Sequence, residues 1–341
     1  LVPDILQAAS DDGFRILKAA ATKFNLTGAD DTAAGPTDVW SYNGLVPGPE
    51  IRVKQGDEVR VRLINNLPEP TTIHWHGIRL PNAMDGVPDL TQKAVKPGAS
   101  FDYRFTVPDA GTFWYHTHNR SWEQMARGLY GSLIVEEHNP QIYESDITLI
   151  VDDWRLLENG QIDTSSFGNM MDSSHAGRHG NWITVNGKSQ PTYELFKNTL
   201  TRLRLVNTCN SRILQIRIPR LNAHVVARDG QPVGPEYLGD ESFDLAPAQR
   251  IDLSLEANAR LKEDLKLFAL TQRGQPVELV RFKVRAGNQV SQEPYRPPAR
   301  LPENPLSKNI DPSRAVNIEL RMQGGAMGRM SSAVYNGQEM G

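Results

Sequence analysis

Short runs of alternating apolar and polar residues, broken every few positions by Gly or Pro, constrain this chain most. Glu58-Val-Arg-Val-Arg-Leu63, Ser100-Phe-Asp-Tyr-Arg-Phe-Thr106 and Thr201-Arg-Leu-Arg-Leu-Val206 alternate with the period of a strand buried on one face. Turn residues separate such runs, as in Leu45-Val-Pro-Gly48, Lys96-Pro-Gly98 and Pro108-Asp-Ala-Gly111. With 27 glycines and 23 prolines in 341 residues, frequent punctuation favours many short strands over long helices. The pattern predicts an all-β chain of sandwiches or barrels, with one short helical turn between Ser121 and Arg127.

That length is too great for one ordinary domain and suits two to three, each able to bury its own core. A faint internal repeat sets the spacing. Tyr42-Asn-Gly44 precedes a strand and a Gly-Asp-Glu strand; Val185-Asn-Gly187 precedes a polar stretch and Thr201 to Val206; Val334-Tyr-Asn-Gly337 opens the cycle a third time. Marks about 140–150 residues apart belong to whole domains rather than to a solenoid. We therefore expect a first domain over residues 1–139 and a second over 140–288. In the remaining stretch, 289–341, Gln292 to Pro312 is a Pro-rich, semi-rigid linker, and Val316-Asn-Ile-Glu-Leu-Arg321 is expected to be the opening strand of a third domain.

Two histidine pairs of identical spacing carry the chemistry: His74 and His76 in His74-Trp-His-Gly77, and His116 and His118 in Phe113-Trp-Tyr-His-Thr-His118. They hold four of the eight histidines. Residues two apart on a strand share a face and lie roughly 6.5–7 Å apart, so two such strands side by side would form a nest of four imidazoles. Imidazole nitrogen suits copper, zinc, iron and nickel, and leaves the metal open.

The surrounding blocks resemble the multicopper oxidases, the laccase-like copper enzymes. They are Tyr42-Asn-Gly-Leu-Val-Pro-Gly-Pro49 with Ile51-Arg-Val-Lys-Gln-Gly-Asp-Glu-Val59; His74-Trp-His-Gly77 with Met84-Asp-Gly-Val-Pro88; and Gly111-Thr-Phe-Trp-Tyr-His-Thr-His118 with Gly128-Leu-Tyr-Gly-Ser-Leu-Ile134. The resemblance implies tandem cupredoxin-like Greek-key sandwiches or barrels. It implies copper as the cofactor, with His74 a type-2 ligand and His76, His116 and His118 type-3 ligands of a trinuclear cluster. It further implies that Asp85, in the loop beside the first pair, assists proton delivery during oxygen reduction; the residue could equally orient a ligand or cap its turn. Trp75 and Trp114, flanking the ligands, are expected to pack around the imidazoles.

The same resemblance shows what this chain does not carry. In the family four more histidines, a His-Cys-His motif and the blue type-1 copper site belong to a last cupredoxin domain. The single cysteine, Cys209 in Leu203-Arg-Leu-Val-Asn-Thr-Cys-Asn-Ser-Arg212, has no histidine adjacent and is expected to be a small buried hydrophobe. The implied whole is an oxidase coupling one-electron oxidation of phenol-like or metal-ion donors to four-electron reduction of dioxygen to water. This chain alone, providing part of the cluster, is expected to be inactive, its missing domain supplied in cis. The alternative is a non-catalytic copper-binding scaffold built on the first two domains. A two-domain copper enzyme assembled as a trimer would need a type-1 cysteine with nearby histidines, which Cys209 lacks.

Other features are expected to be structural. The second domain resembles the family's copper-free middle domain and is expected to act as a spacer, with His224 partly buried and hydrogen-bonded. His175 and His179 lie with Met170 and Met171 in a Gly- and Ser-containing stretch expected to be a solvated loop, and His138 is expected at the surface. Met322, Met327, Met330 and Met340 sit in or near a Gly-rich tail expected to lack fixed ligand geometry. A net charge of −3 gives no basic surplus for nucleic acid or an anionic membrane. No run is long and apolar enough to span a bilayer, and one cysteine permits no internal disulfide. A periplasmic or secreted location follows from the resemblance alone.

Overall fold

A computed structural model describes residues 6, 10, 12–28, 35–174, 177–257, 263–270, 274–286, 298–306, 311–319, 321–323, 334–335 and 338–339. The first half builds two four-stranded sheets from β1 (Arg15–Phe24), β2 (Thr37–Tyr42), β3 (Gly48–Lys54), β4 (Glu58–Asn66), β5 (His74–His76), β6 (Ser100–Thr106), β7 (Gly111–His116) and β8 (Tyr130–Glu136). One sheet runs β2-β1-β4-β6 and the other β3-β8-β7-β5. Their inward faces meet in one apolar cluster, with Leu17, Val61 and Leu63 from the first sheet against Ile51, Phe113 and Leu133 from the second. That is how alternating strands hide one face each.

The second half repeats the scheme on a larger scale. It comprises β9 (Ser145–Trp154), β10 (Trp182–Val185), β11 (Thr192–Phe196), β12 (Leu200–Asn207), β13 (Leu214–Arg217), β14 (Asn222–Arg228), β15 (Gln231–Tyr237), β16 (Ser242–Leu245), β17 (Arg250–Glu256), β18 (Leu265–Leu270) and β19 (Pro276–Arg285). The sheets run β10-β9-β12-β17-β14-β15 and β11-β19-β18-β13-β16. Leu149, Leu203 and Leu253 pack there against Ile216, Leu267 and Phe282.

The faint sequence repeat is physical. β1 pairs in parallel with β4, which pairs antiparallel with β6; β9 pairs in parallel with β12, which pairs antiparallel with β17. In both halves an Asn-Gly turn is clamped onto the first strand of the parallel pair. Asn43 and Asn186 both take the left-handed conformation that Asn tolerates. The Asn43 carboxamide accepts from Lys18 N–H and donates to Ile16 C=O, while that of Asn186 accepts from Ile150 N–H and donates to Thr148 C=O. Each clamp satisfies two strand groups, at about 1 kcal/mol per hydrogen bond.

The halves share a third apolar cluster, in which Leu26, Val39, Trp114 and Tyr130 meet Ile150, Trp154, Leu156 and Val206. Beside it lies a buried polar seam. Thr112 Oγ1 donates to Asp252 at 2.6 Å, Arg204 donates to Thr112 and to Asp252, Arg202 pairs with Asp252 and Glu137, and Tyr130 donates to Asp152 at 2.7 Å.

The third stretch departs from expectation. Residues 316–319 form no strand, and Val316 and Ile318 are 85 % and 83 % exposed, because no strand among the described residues pairs with the alternating run. Strand pairing occurs later, where β20 (Met322–Gln323), β21 (Val334–Tyr335) and β22 (Gln338–Glu339) form a small antiparallel sheet. Much of the expected linker, His175, and the tail methionines Met327, Met330 and Met340 lie outside the described residues. Its described segment crosses both halves: buried Asn304 exchanges hydrogen bonds with Ala110 and donates to Gly230 C=O and Gln231, while Leu301 packs on Val226 and Ala227. The short helix expected after the second histidine pair is α1 (Ser121–Gln124); a second, α2 (Met170–Ser174), lies in the stretch read as loop. No helix among the described residues is long and apolar enough to cross a membrane.

Candidate metal centre

β5 and β7 run antiparallel with His74 opposite His116 and His76 opposite Trp114. This register brings the two histidine pairs together. Donor atoms of His74, His76 and His116 all lie within 4.8 Å of one another. His118 falls one step beyond β7, is exposed, and sets its ring 5.4 Å from that of His74 and 6.3 Å from that of His116. The expectation of four imidazoles on two strands therefore holds for three. The fourth closes the group from the loop, at the edge facing solvent.

Backbone carbonyls fix two of the rings. His74 Nδ1 donates to Asp85 C=O at 2.8 Å and His116 Nδ1 to Thr117 C=O at 2.7 Å, which leaves Nε2 of each as the lone-pair atom. His76 Nδ1 lies 3.3 Å from His116 Nε2. Two nitrogens at about 2.0 Å from a shared tetrahedral ion sit about 3.3 Å apart, so this spacing suits two ligands of one late first-row cation. Burial, with the Arg250 charge and neighbouring His74 and His118, pulls the His76 pKa down to about 3. Burial likewise holds His116 well below the ordinary histidine range. Both are neutral near pH 7, the form that binds metal.

The loop carrying Asp85 depends on a glycine. Gly86 has φ +78°, and a Cβ there would lie 1.8 Å from Ile73 C=O, so only glycine lets the loop settle against the strand leading into β5. Its preceding residue then presents both its carbonyl and its carboxylate to His74, with Asp85 Oδ1 at 3.3 Å from His74 Nδ1.

The two tryptophans divide between faces. Trp75, between His74 and His76 on β5, points the opposite way and packs on Tyr103, Phe105 and Tyr115 in the core. Trp114, two before His116 on β7, shares the histidine face and stacks on His76 and His116 with centroids 4.9 and 4.3 Å away. Only Trp114 holds imidazoles, as strand alternation requires. It also belongs to the apolar cluster shared by the halves.

Sequence reading missed Arg250. It donates from Nε to Thr112 C=O at 3.2 Å, pairs with Asp229, and lies against Gly77, where an added Cβ would meet its Nη2 at 2.1 Å. Through Arg250 the second half reaches the turn after His76. Nothing local marks a contact between residues so far apart in sequence.

The remaining candidates behave as structure. Cys209 is 2 % exposed in the core, and His224 is buried beside Tyr237 at 5.2 Å between ring centroids. His138 is exposed, and His179 is partly buried, its carbonyl accepting from Arg155 Nε. Asp152 and Asp153 approach Cys209 closely enough to form a second donor group. Their charges already have partners: burial pushes the Asp152 carboxyl well up, Tyr130 donates to it, and Arg212 pairs with Asp153 at 2.8 Å.

Family models described as multicopper oxidase match residues 26–140 and 105–283. The chain is 30 % identical over 298 residues to a copper resistance protein A homolog of Pseudomonas syringae pv. tomato, covering 74 % of this chain and 48 % of that protein. It is 32 % identical over 266 residues to Laccase-2 of Cryptococcus neoformans var. grubii, covering 68 % and 44 %. It thus spans about half the length of these curated relatives. Among solved structures, a multi-copper oxidase from Pseudomonas thermotolerans superposes with TM-score 0.80 at 38 % identity, over 90 % of this chain and 71 % of that one. With its paired cupredoxin sandwiches and converging histidines, the chain belongs to the multicopper oxidase family.

Proposed function

We propose that residues 1–139 form the cupredoxin domain that supplies part of a trinuclear copper cluster, with His74 on type-2 copper and His76, His116 and His118 on type-3 copper. Residues 140–288 are then a copper-free domain that braces the first, and residues 289–341 lead into a third. The carrying observation is the convergence of donors from both histidine pairs, within 4.8 Å, on one face of β5 and β7. Four donors are fewer than such a cluster takes. The exposed edge at His118 is where donors from a further domain in cis would complete it, together with a type-1 site that Cys209 does not provide.

Bound copper supplies the one-electron steps between a reducing donor and dioxygen. The protein groups hold and protect. Asp85 and Thr117 carbonyls aim His74 and His116, Trp114 shields the inner side from water, and the Asp85 carboxylate, partly exposed, is placed to pass protons toward the cluster. In the complete oxidase this couples oxidation of small donors to reduction of dioxygen to water. By resemblance to the family those donors are phenol-like compounds or metal ions, a reading that relatives named for copper resistance and for laccase support. A periplasmic or secreted location accompanies this reading.

The test is copper loading of the chain beside the double variant His116→Ala/His118→Ala. Bound copper should fall to background in the variant while circular dichroism and melting show an intact fold. Unchanged copper stoichiometry would refute the assignment. Oxidase turnover of the full-length protein, absent from a mere scaffold, separates the enzyme from the copper-binding alternative.

A further inference from the structure

A cleft of about 470 Å³ opens between the two halves, away from the histidines. Trp122 of α1 forms one wall; Arg178, Asn210 and Ser211 from the second half form the other. Asn210 donates to Trp122 C=O at 2.9 Å and holds the walls in place.

Arg178 is the informative group. It is only 8 % exposed, yet no carboxylate pairs with it among the described residues. Its Nε donates to Ser166 Oγ at 2.8 Å, Nη2 reaches Asp163 C=O at 3.4 Å, and its guanidinium lies 4.6 Å from the Phe167 ring centroid. Nη1 has no hydrogen-bond partner among the described residues. Asp172, also on the cleft, is taken up by Arg155 through both carboxylate oxygens, at 2.6 and 3.1 Å, so Arg178 is left without a direct ion pair although Asp153, Asp163 and Asp172 act on its charge from farther off. Burying a cation without a direct ion pair is costly, and an anion hydrogen-bonded to it in the cleft would offset that cost. A second group points the same way: Ser211 Oγ is buried with no hydrogen-bond partner among the described residues, a donor awaiting an acceptor. The Trp122 indole, 46 % exposed, adds a flat apolar face.

We propose that this cleft binds a small aromatic carboxylate, its carboxylate held by Arg178 and Ser211 and its ring laid on Trp122. The guanidinium fork matches a carboxylate, and the indole selects a ring over a purely ionic ligand. The site is independent of the copper reading.

Isothermal titration calorimetry of the chain with benzoate, acetate and benzyl alcohol at neutral pH tests this. Benzoate should bind saturably, in the millimolar range or tighter, and at least about tenfold better than either acetate, which lacks the ring, or benzyl alcohol, which lacks the charge. Arg178→Gln should weaken benzoate by about tenfold or more with an unchanged melt. If that variant fails to fold, Trp122→Ala, at a half-exposed position, should erase the preference for benzoate over acetate. No saturable benzoate binding, equal binding of the three compounds, or undiminished binding by Arg178→Gln would overturn the proposal.

Discussion

The imidazoles at the centre are held by separate contacts, and these contacts predict different sensitivities. His74 is aimed mainly through the main-chain carbonyl of Asp85, at 2.8 Å, with the carboxylate at 3.3 Å as a second contact. Asp85→Ala keeps that carbonyl, so copper stoichiometry should stay at the wild-type value. A proportional loss of copper would instead make the carboxylate the orienting group. Gly86→Ala should behave oppositely, because its Cβ collides with Ile73 C=O and displaces the same carbonyl. At this scale the sequence was partly legible. The paired spacing announced His74, His76 and His116, because alternation on a strand is local. The same alternation separates Trp75 from Trp114, whereas placing both beside the ligands ignores it. Arg250 was invisible, since its approach to Gly77 arises only when the two halves dock.

At the scale of elements, β9 and β12 lie side by side in the second half, and a charged seam runs from them to β3 of the first. Asp146 on β9 is paired with Arg204 on β12 at 2.7 Å and with Arg52 on β3 at 3.1 Å, tying the halves together. Burial alone would raise the Asp146 carboxyl; Arg204, with Arg52 and Arg202, more than reverses this and holds it well below the usual carboxylate range. Because the folded value is depressed, the unfolded chain takes up the proton more readily. The stabilisation is therefore complete above about pH 4 and is lost as pH falls below it. Urea unfolding should show stability falling from about pH 4 downward, with a shallower fall in Asp146→Asn; identical acid profiles would remove Asp146 as the cause. The repeated Asn-Gly turns were legible because that dipeptide carries its own conformational signature. The strand expected over Val316 to Arg321 was not realised over 316–319, since alternation states what a strand could bury but not whether a partner strand is at hand.

At the scale of the whole molecule, the histidine-bearing sandwich and its companion make one working unit. Trp114 is stacked on two histidines on one side and packed with Ile150, Trp154 and Val206 of the second half on the other. Thr112, through which Arg204 and Asp252 of the second half are tied to the first, lies on the same strand that carries His116. Truncating one partner of such a buried charged group costs about 3–5 kcal/mol, so the second half stabilises the geometry of the first although it offers no proposed ligand. The family was legible from local blocks of a few residues. The sharing of core and charge between halves was not, because it joins positions that only the folded chain brings together.

The most direct measurement is copper-edge X-ray absorption on the copper-loaded chain. Imidazole scattering from at least three histidines, with no sulfur scatterer, is the result predicted by the convergence of His74, His76 and His116. A sulfur scatterer would place copper at Cys209 or a methionine, and signal from oxygen ligands alone would place it away from the histidines; either would contradict the assignment.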